Sequence, residues 1–199
     1  YQGESNTNYM RDSYEKYFEM LIEGWRDAWG RGDFPFYWAQ LANFRNPNPH
    51  PKDKDDWASI CDQQRRALSL PHTGMAVLND IGEAKDVHPH NKIDVGKRLA
   101  LWALAKDYGV QVPAYSGPLY ESHRVQGDKV LIEFEHAGSG LMAGHKELLS
   151  DAIEVEEPLQ GFQIKGEDEK WHWAQARIVS ADTVEVSHSE VAEPTEVRY

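Results

Sequence analysis

The stretch GMAVLNDIGEAKDVHPHNKIDVGKRLALWALAKDY, residues 74–108, decides how the chain is read. It opens with a short apolar run, GMAVLND (74–80), which predicts a buried strand whose carboxyl end meets a loop. That loop, IGEAKDVHPHNK, carries Asp86, His88 and His90. IDVGKRLALWALAKDY (93–108) then predicts a helix, with Val95, Leu99, Trp102 and Ala103 turned inward and Gly109 placed to stop it.

Working outward, the same alternation recurs upstream. From Tyr9 to Trp25 the residues Tyr14, Tyr17, Phe18, Leu21, Ile22 and Trp25 recur at intervals of three and four, the spacing of an amphipathic helix. FPFYWAQLANF (34–44) reads as a buried strand running into the exposed loop NPNPHPK, and DDWASICDQQRRALSL (55–70) as a helix capped by its leading acids. Strands alternating with helices imply a parallel sheet covered by helices, with its chemistry at the carboxyl ends of the strands. Beyond Val112 the pattern changes. HRVQGDKVLIEFEHAG predicts a hairpin turning at Gly-Asp, and residues 162–186 alternate apolar and polar at period two. The expected organisation is an α/β portion over 1–111 and a β-rich unit over 112–199. The final EVRY sits inside a strand-like pattern, and YQGESN opens without a preceding strand, so both ends are expected to continue in a longer protein.

Composition narrows the partners. The chain has 199 residues, 40% hydrophobic and 27% charged, with 33 acidic residues against 21 basic ones and a net charge of −12. That balance repels a phosphate backbone and an anionic membrane surface, so neither nucleic acid nor membrane is expected as a partner. No stretch approaches the roughly 20 apolar residues of a membrane-spanning helix. Cys61 is the only cysteine, which excludes an internal disulfide and a thiolate metal cluster. Seven Trp and nine Tyr supply rings that can stack on sugars, although core packing explains most such residues.

Two loops carry chemistry. In DVHPHNK, Asp86 lies two residues before His88, where a carboxylate can accept from one ring nitrogen and leave the other free to take a proton. Pro89 restricts the backbone beside it. His88 with His90 can also be read as a metal pair, but without a clear third ligand. In YQGESN, Gly3-Glu4-Ser5-Asn6 lacks the second glycine of a G-x-S-x-G nucleophile elbow. Gly3 allows close approach of its N–H to a substrate oxygen, and the Asn6 amide can donate to the same atom, as an oxyanion hole requires. The structural alternative is that Asn6, Ser5 or Thr7 caps the first helix.

Together YQGESN, WRDAWGRGDFPFYWAQLANF (25–44) and NDIGEAKDVHPHNKIDVGKRLALWAL (79–104) resemble the later part of the sialate O-acetylesterases, a family of the SGNH hydrolase superfamily. The tail from FQIKG to EVRY (162–199) is similar to that family's terminal β region. The resemblance implies part of a flavodoxin-like, three-layer α/β/α parallel sheet, followed by a smaller β-rich unit. It assigns Gly3 and Asn6 to the oxyanion hole, His88 as general base and Asp86 as its orienting partner. The GQSN-type block that supplies the nucleophilic serine has no equivalent here, so Ser5 is not expected to be the nucleophile. Many SGNH hydrolases place Asp three positions before the base. Here that place is Lys85, so either Asp86 reaches the ring or a backbone carbonyl orients His88 in a Ser-His dyad, with Asp80 a weaker substitute.

The resemblance thus implies a carbohydrate esterase that removes O-acetyl groups from sialic acids without metal or organic cofactor. An N-terminal portion of the same protein is its implied partner, and this segment is expected to be inactive alone. Gln40, Trp29, Tyr37 and Trp38 are candidates to line the sugar pocket. The base must be neutral, so activity is expected to fall as pH drops through the ordinary imidazole range, about 6.5. Competing readings are an esterase acting on another glycan such as acetylated xylan, a noncatalytic carbohydrate-binding protein, and a structural subunit for the serine-bearing portion. The implied substrates sit on secreted and surface glycans, which places the protein outside the cell or in the periplasm, or in lysosomes if eukaryotic.

Overall fold

The computed structural model describes residues 3–10, 12–51 and 55–199. Arg11, within the predicted first helix, and Lys52, at the end of the predicted loop, lie outside them. The chain divides into two compact units, Tyr1–Asn46 with Lys54–Ser116, and Pro47–Asp53 with Gly117–Tyr199. No helix among the described residues is long and apolar enough to cross a membrane.

The first unit begins with a 3-10 turn, Glu4–Asn8, and continues through α1 (Tyr14–Trp29), β1 (Phe36–Ala39), α2 (Asp56–Arg66), β2 (Thr73–Ala76) and α3 (Lys92–Lys106). The first helix starts five residues later than its apolar spacing predicts, because the Asn6 carbonyl takes the Tyr9 and Met10 N–H groups into the preceding turn. It also extends one turn further, to Trp29, where Gly30 caps it in the left-handed conformation. The predicted cap of α2 forms, with Asp55 Oδ1 accepting from the N–H groups of Trp57 and Ala58 at 3.1 Å.

β1 and β2 pair in parallel, Phe36 opposite Thr73 and Ala39 opposite Ala76. Side chains of a strand point alternately to its two faces. Tyr37 accordingly meets Trp102 of α3 at 6.3 Å between ring centres, and Ala39 joins Ala76 and Leu78 against Val95 and Leu99. On the other face Trp38 takes the Phe18 ring of α1 edge-on at 5.1 Å. Helices therefore cover both faces of this two-stranded parallel pair. α3 is pinned by the Trp102 Nε1–H, which donates to the Met75 carbonyl at 2.9 Å. The buried Arg26 donates to the carbonyls of Phe34 and Pro71, tying the end of α1 to the segments entering both strands. A buried cation needs such acceptors to offset its lost hydration.

The second unit contains β3 (Leu119–Gln126), β4 (Lys129–Glu135), β5 (Gly144–His145), β6 (Ile153–Glu154), β7 (Gln163–Gly166), β8 (Trp171–Trp173), β9 (Gln175–Ile178), β10 (Thr183–Ser187) and β11 (Pro194–Arg198). The predicted hairpin is β3–β4, with Gln126 opposite Lys129 across Gly127-Asp128. The strands form a four-stranded sheet in the order β3-β4-β10-β9, a three-stranded sheet β11-β7-β8 and the short pair β5-β6. Val130, Ile132, Val184 and Val186 of the first sheet share one core with Ile164 of the second and with Phe162 and Val191 beside it.

Candidate active site

The strand pairing brings the loops after β1 and β2 side by side. Beyond the strands, Phe44 and Glu83 form a further parallel bridge, and Glu83 bridges back to Asp86 across a tight turn. Gly82 makes this approach possible. Its N–H donates to Asn43 Oδ1 at 2.7 Å, and a Cβ at position 82 would lie 1.8 Å from the Asn43 carbonyl oxygen. The DVHP segment is thus held at the carboxyl end of the parallel pair.

Within that segment Pro89 is fully buried while His88 and His90 are exposed on either side of it. Asp86 Oδ1 accepts the His88 backbone N–H at 2.8 Å and stands 3.6 Å from His88 Nδ1. The second distance is longer than a hydrogen bond. The tighter carboxylate–imidazole contact in this loop is a different pair. Glu83 Oε1 accepts from the His90 backbone N–H at 2.9 Å and lies 2.7 Å from His90 Nδ1. The backbone and ring hydrogen bonds from His90 hold the Glu83 carboxyl below its usual range, and the Glu83 hydrogen bond raises the His90 imidazole above its own. Asp80, the weaker substitute, is engaged by Arg98 of α3 through two contacts of 2.6 Å.

At the other loop, Gly3 adopts φ 135°, a region closed to most residues, and a Cβ there would meet the Tyr14 hydroxyl at 3.1 Å and Ile60 Cγ2 at 3.4 Å. Its carbonyl accepts the Asn6 N–H at 2.9 Å, closing the 3-10 turn on which Ser5 is exposed. Asn6 does not cap α1, whose N-cap position is Ser13, and its Nδ2 contacts Met10 Sδ at 2.8 Å. Tyr14 and Ile60, which crowd Gly3, also form the buried cluster with Leu41 and Trp57 against which Val87 packs. Gly3 and the residue before His88 are therefore seated on one apolar cluster.

The four candidate sugar-pocket residues are not brought together. Contacts run Trp29 to Phe34, Trp25 to Phe36 and Phe18 to Trp38, so α1 is antiparallel to β1 and Trp29 lies at the amino end of the strand, away from both chemical loops. Tyr37 and Trp38 face opposite sides of β1, and the Tyr37 hydroxyl donates to Asp107 Oδ2 at 2.7 Å. Gln40 does lie at the carboxyl end. It is buried, with Nε2 on the Cys61 carbonyl at 3.1 Å and Oε1 without a hydrogen-bond partner among the described residues. Burial pushes the Cys61 thiol up to about 12, which keeps it protonated and unsuited to nucleophilic attack.

The Glu83–His90 pair escaped the sequence reading because the two residues are joined by a turn rather than by a motif spacing. The exposed His88 imidazole can exchange a proton with an incoming hydroxyl. Gly3 of the first loop is seated on the same apolar support.

No family model matches the chain. Curated relatives do. The sialate O-acetylesterases of Homo sapiens and Pongo abelii are each 33% identical over 154 residues, which is 68% of this chain and 29% of theirs. The sialate O-acetylesterase of Mus musculus is 34% identical over 133 residues, 60% of this chain and 25% of the mouse protein. Among solved structures, a carbohydrate acetylesterase from Xanthomonas citri superposes with a TM-score of 0.85 at 38% identity, covering 100% of this chain and 43% of that one. The chain therefore spans less than a third of the length of these curated relatives. The resemblance to the family is borne out: the chain is a homologue of the sialate O-acetylesterases, matching part of their length.

Proposed function

We propose that this chain carries the oxyanion-hole and general-base segments of an SGNH-type serine esterase that removes O-acetyl groups from sialic acids. The observation that carries the reading is the seating of Gly3 and Val87 against one cluster, Tyr14 and Ile60 included, which sets the first loop and the DVHP turn on a common support. In this reading His88 deprotonates a serine contributed from outside these residues, and the serine oxygen attacks the acetyl carbonyl. The Gly3 N–H and the Asn6 amide, with the serine's own N–H, hold the oxyanion, each donor contributing on the order of 3 kcal/mol. His88 then protonates the departing sugar hydroxyl and activates the water that releases acetate. Closing the 3.6 Å gap from Asp86 to His88 Nδ1 fixes the tautomer that leaves Nε2 free.

The serine is assigned to an N-terminal portion of the protein, completing a three-layer α/β/α sheet with the parallel pair described above. Three features support this. The relatives are longer, the parallel sheet has two strands among the described residues, and α1 exposes Tyr17, Met20, Leu21, Trp25 and Trp29. Parallel sheets are ordinarily larger and buried on both faces. The segment alone is accordingly inactive, and an exported compartment, where acetylated glycans occur, suits the substrate.

The test is His88→Ala in the complete enzyme, assayed on 9-O-acetyl sialic acid. The rate is expected to fall at least about a hundredfold with substrate affinity retained. Labelling of Ser5 by a fluorophosphonate in this segment alone, with hydrolysis of an aryl acetate, would overturn the assignment. A second reading, an acetylesterase of another glycan, is favoured by the Xanthomonas protein being described only as a carbohydrate acetylesterase. Relative rates on acetylated xylan and acetylated sialic acid decide between them.

A further inference from the structure

The β-rich unit holds a side-chain cluster that the esterase chemistry does not use. His172 lies on β8 of the three-stranded sheet, and His188 directly follows β10 of the four-stranded sheet. Their rings face each other with centres 4.5 Å apart, inclined at 31°. Glu190 joins them, with Oε2 3.7 Å from His172 Nδ1, and one ligand atom from each of the three residues falls within 4.8 Å of the others.

We propose that His172, His188 and Glu190 form a binding site for one transition-metal dication of the zinc class, which clasps the two sheets of this unit together. Two imidazoles and a carboxylate suit zinc, copper or nickel rather than calcium or magnesium, which take oxygen ligands. Three protein ligands leave the fourth tetrahedral position to water. Ligand bonds of about 2.0–2.2 Å require the three atoms to draw together by roughly 1 Å and the two rings to turn so that each nitrogen lone pair, which lies in its ring plane, faces the ion.

The framework is positioned for this. Val191 is in the core, and its N–H donates to the His188 carbonyl at 3.0 Å, so the turn bearing His188 and Glu190 is anchored. The weak donation of the Glu190 N–H to His188 Nδ1, at 3.2 Å, is the contact a metal at that nitrogen would replace.

A second observation points to a ligand on His172. Its Nε2 is buried with no hydrogen-bond partner among the described residues and lies 3.9 Å from Asp168 Oδ2. A metal on Nδ1 places the imidazole proton on Nε2, where Asp168 can accept it, the outer carboxylate that metal-binding histidines ordinarily have. Asp168 is itself held, its Oδ1 accepting the Lys170 N–H at 3.1 Å.

Zinc chloride titrated into the tag-free chain near neutral pH, followed by calorimetry and thermal unfolding, tests the proposal. The expected result is one zinc per chain and a rise in the unfolding midpoint. His172→Asn with His188→Asn should weaken binding by about a hundredfold and abolish the rise, and Asp168→Asn should weaken it about tenfold. If the double variant does not fold, Glu190→Gln, on the exposed side of the turn, still predicts a loss of about tenfold. Unchanged zinc affinity in the folded variants, or no zinc binding by the parent chain, overturns the proposal and leaves the two rings as a metal-free stacked pair.

Discussion

Both units hold fully buried apolar side chains, Leu41, Ile60, Met75 and Leu78 in the α/β unit among them, and both leave others exposed, but they differ in how their cores are closed. In the β-rich unit, Ile164 and Val186 are 0% exposed, and the inner residues of both sheets meet in one core. In the α/β unit, α1 buries Tyr14 and Ile22 but leaves Trp25 at 51% and Trp29 at 63% exposed, stacked on each other at 6.5 Å. The same helical stripe is thus covered along one edge and open along the other. An antiparallel sandwich closes its core by pairing sheet on sheet, whereas a parallel sheet needs further strands and helices before its faces are covered.

The contrast is broken most strongly by Ile164→Ala. Removing a fully enclosed side chain should cost about 2–5 kcal/mol, read as faster hydrogen exchange along β7. Gly82→Ala follows, because the new methyl cannot coexist with the Asn43 carbonyl unless the two loops separate. The expected cost is about 1–3 kcal/mol in denaturant unfolding, and the proposed function adds a parallel loss of esterase rate in the longer protein. Leu21→Ser, on the open edge of α1, should change the stability of this chain by no more than about 0.5 kcal/mol. If an N-terminal portion covers that edge, the same substitution should destabilise the complete protein by more, and equal effects in both would remove the support that the open stripe gives.

The smallest effect concerns Glu83 and His90. The His90 contribution is full below the ordinary imidazole range and lost as pH rises through its raised value. That of Glu83 is full above the ordinary carboxyl range and lost as pH falls through its lowered value. The pair therefore helps most between about pH 4.5 and 6.5. Glu83→Gln should bring the His90 midpoint, followed by NMR, down toward the ordinary value. A midpoint unmoved by the substitution would show that the contact does not persist in solution.

Periodicity made most of this architecture legible. The spacing of Val95, Leu99 and Trp102 located α3, and Gly-Asp at 127–128 located the β3–β4 turn. The local hydrogen bonds that decide boundaries were harder to read. Asn91, whose Oδ1 accepts the Asp94 N–H at 3.0 Å, starts α3, although Asn-x-x-Asp was present as a capping signal. Within the candidate site the sequence identified DVHP and YQGESN, but not that Val87 and Gly3 share a support, since Tyr14, Leu41 and Ile60 are distant along the chain. The aromatic residues misled because rings at 29, 37 and 38 are close in sequence yet separated by strand alternation and by the direction of α1. His172 and His188 carried no signal, because they meet only when two sheets do.

Burial of Pro89 between two solvent-facing imidazoles gives the loop a fixed pivot. With Pro89 enclosed, the exposed His88 side chain can turn about its own χ1 and χ2. Exposed side chains make such jumps in picoseconds to nanoseconds, faster than the nanosecond-to-microsecond excursions of loops. In the proposed mechanism, proton delivery by His88 would follow a rotamer jump rather than the movement of a gate.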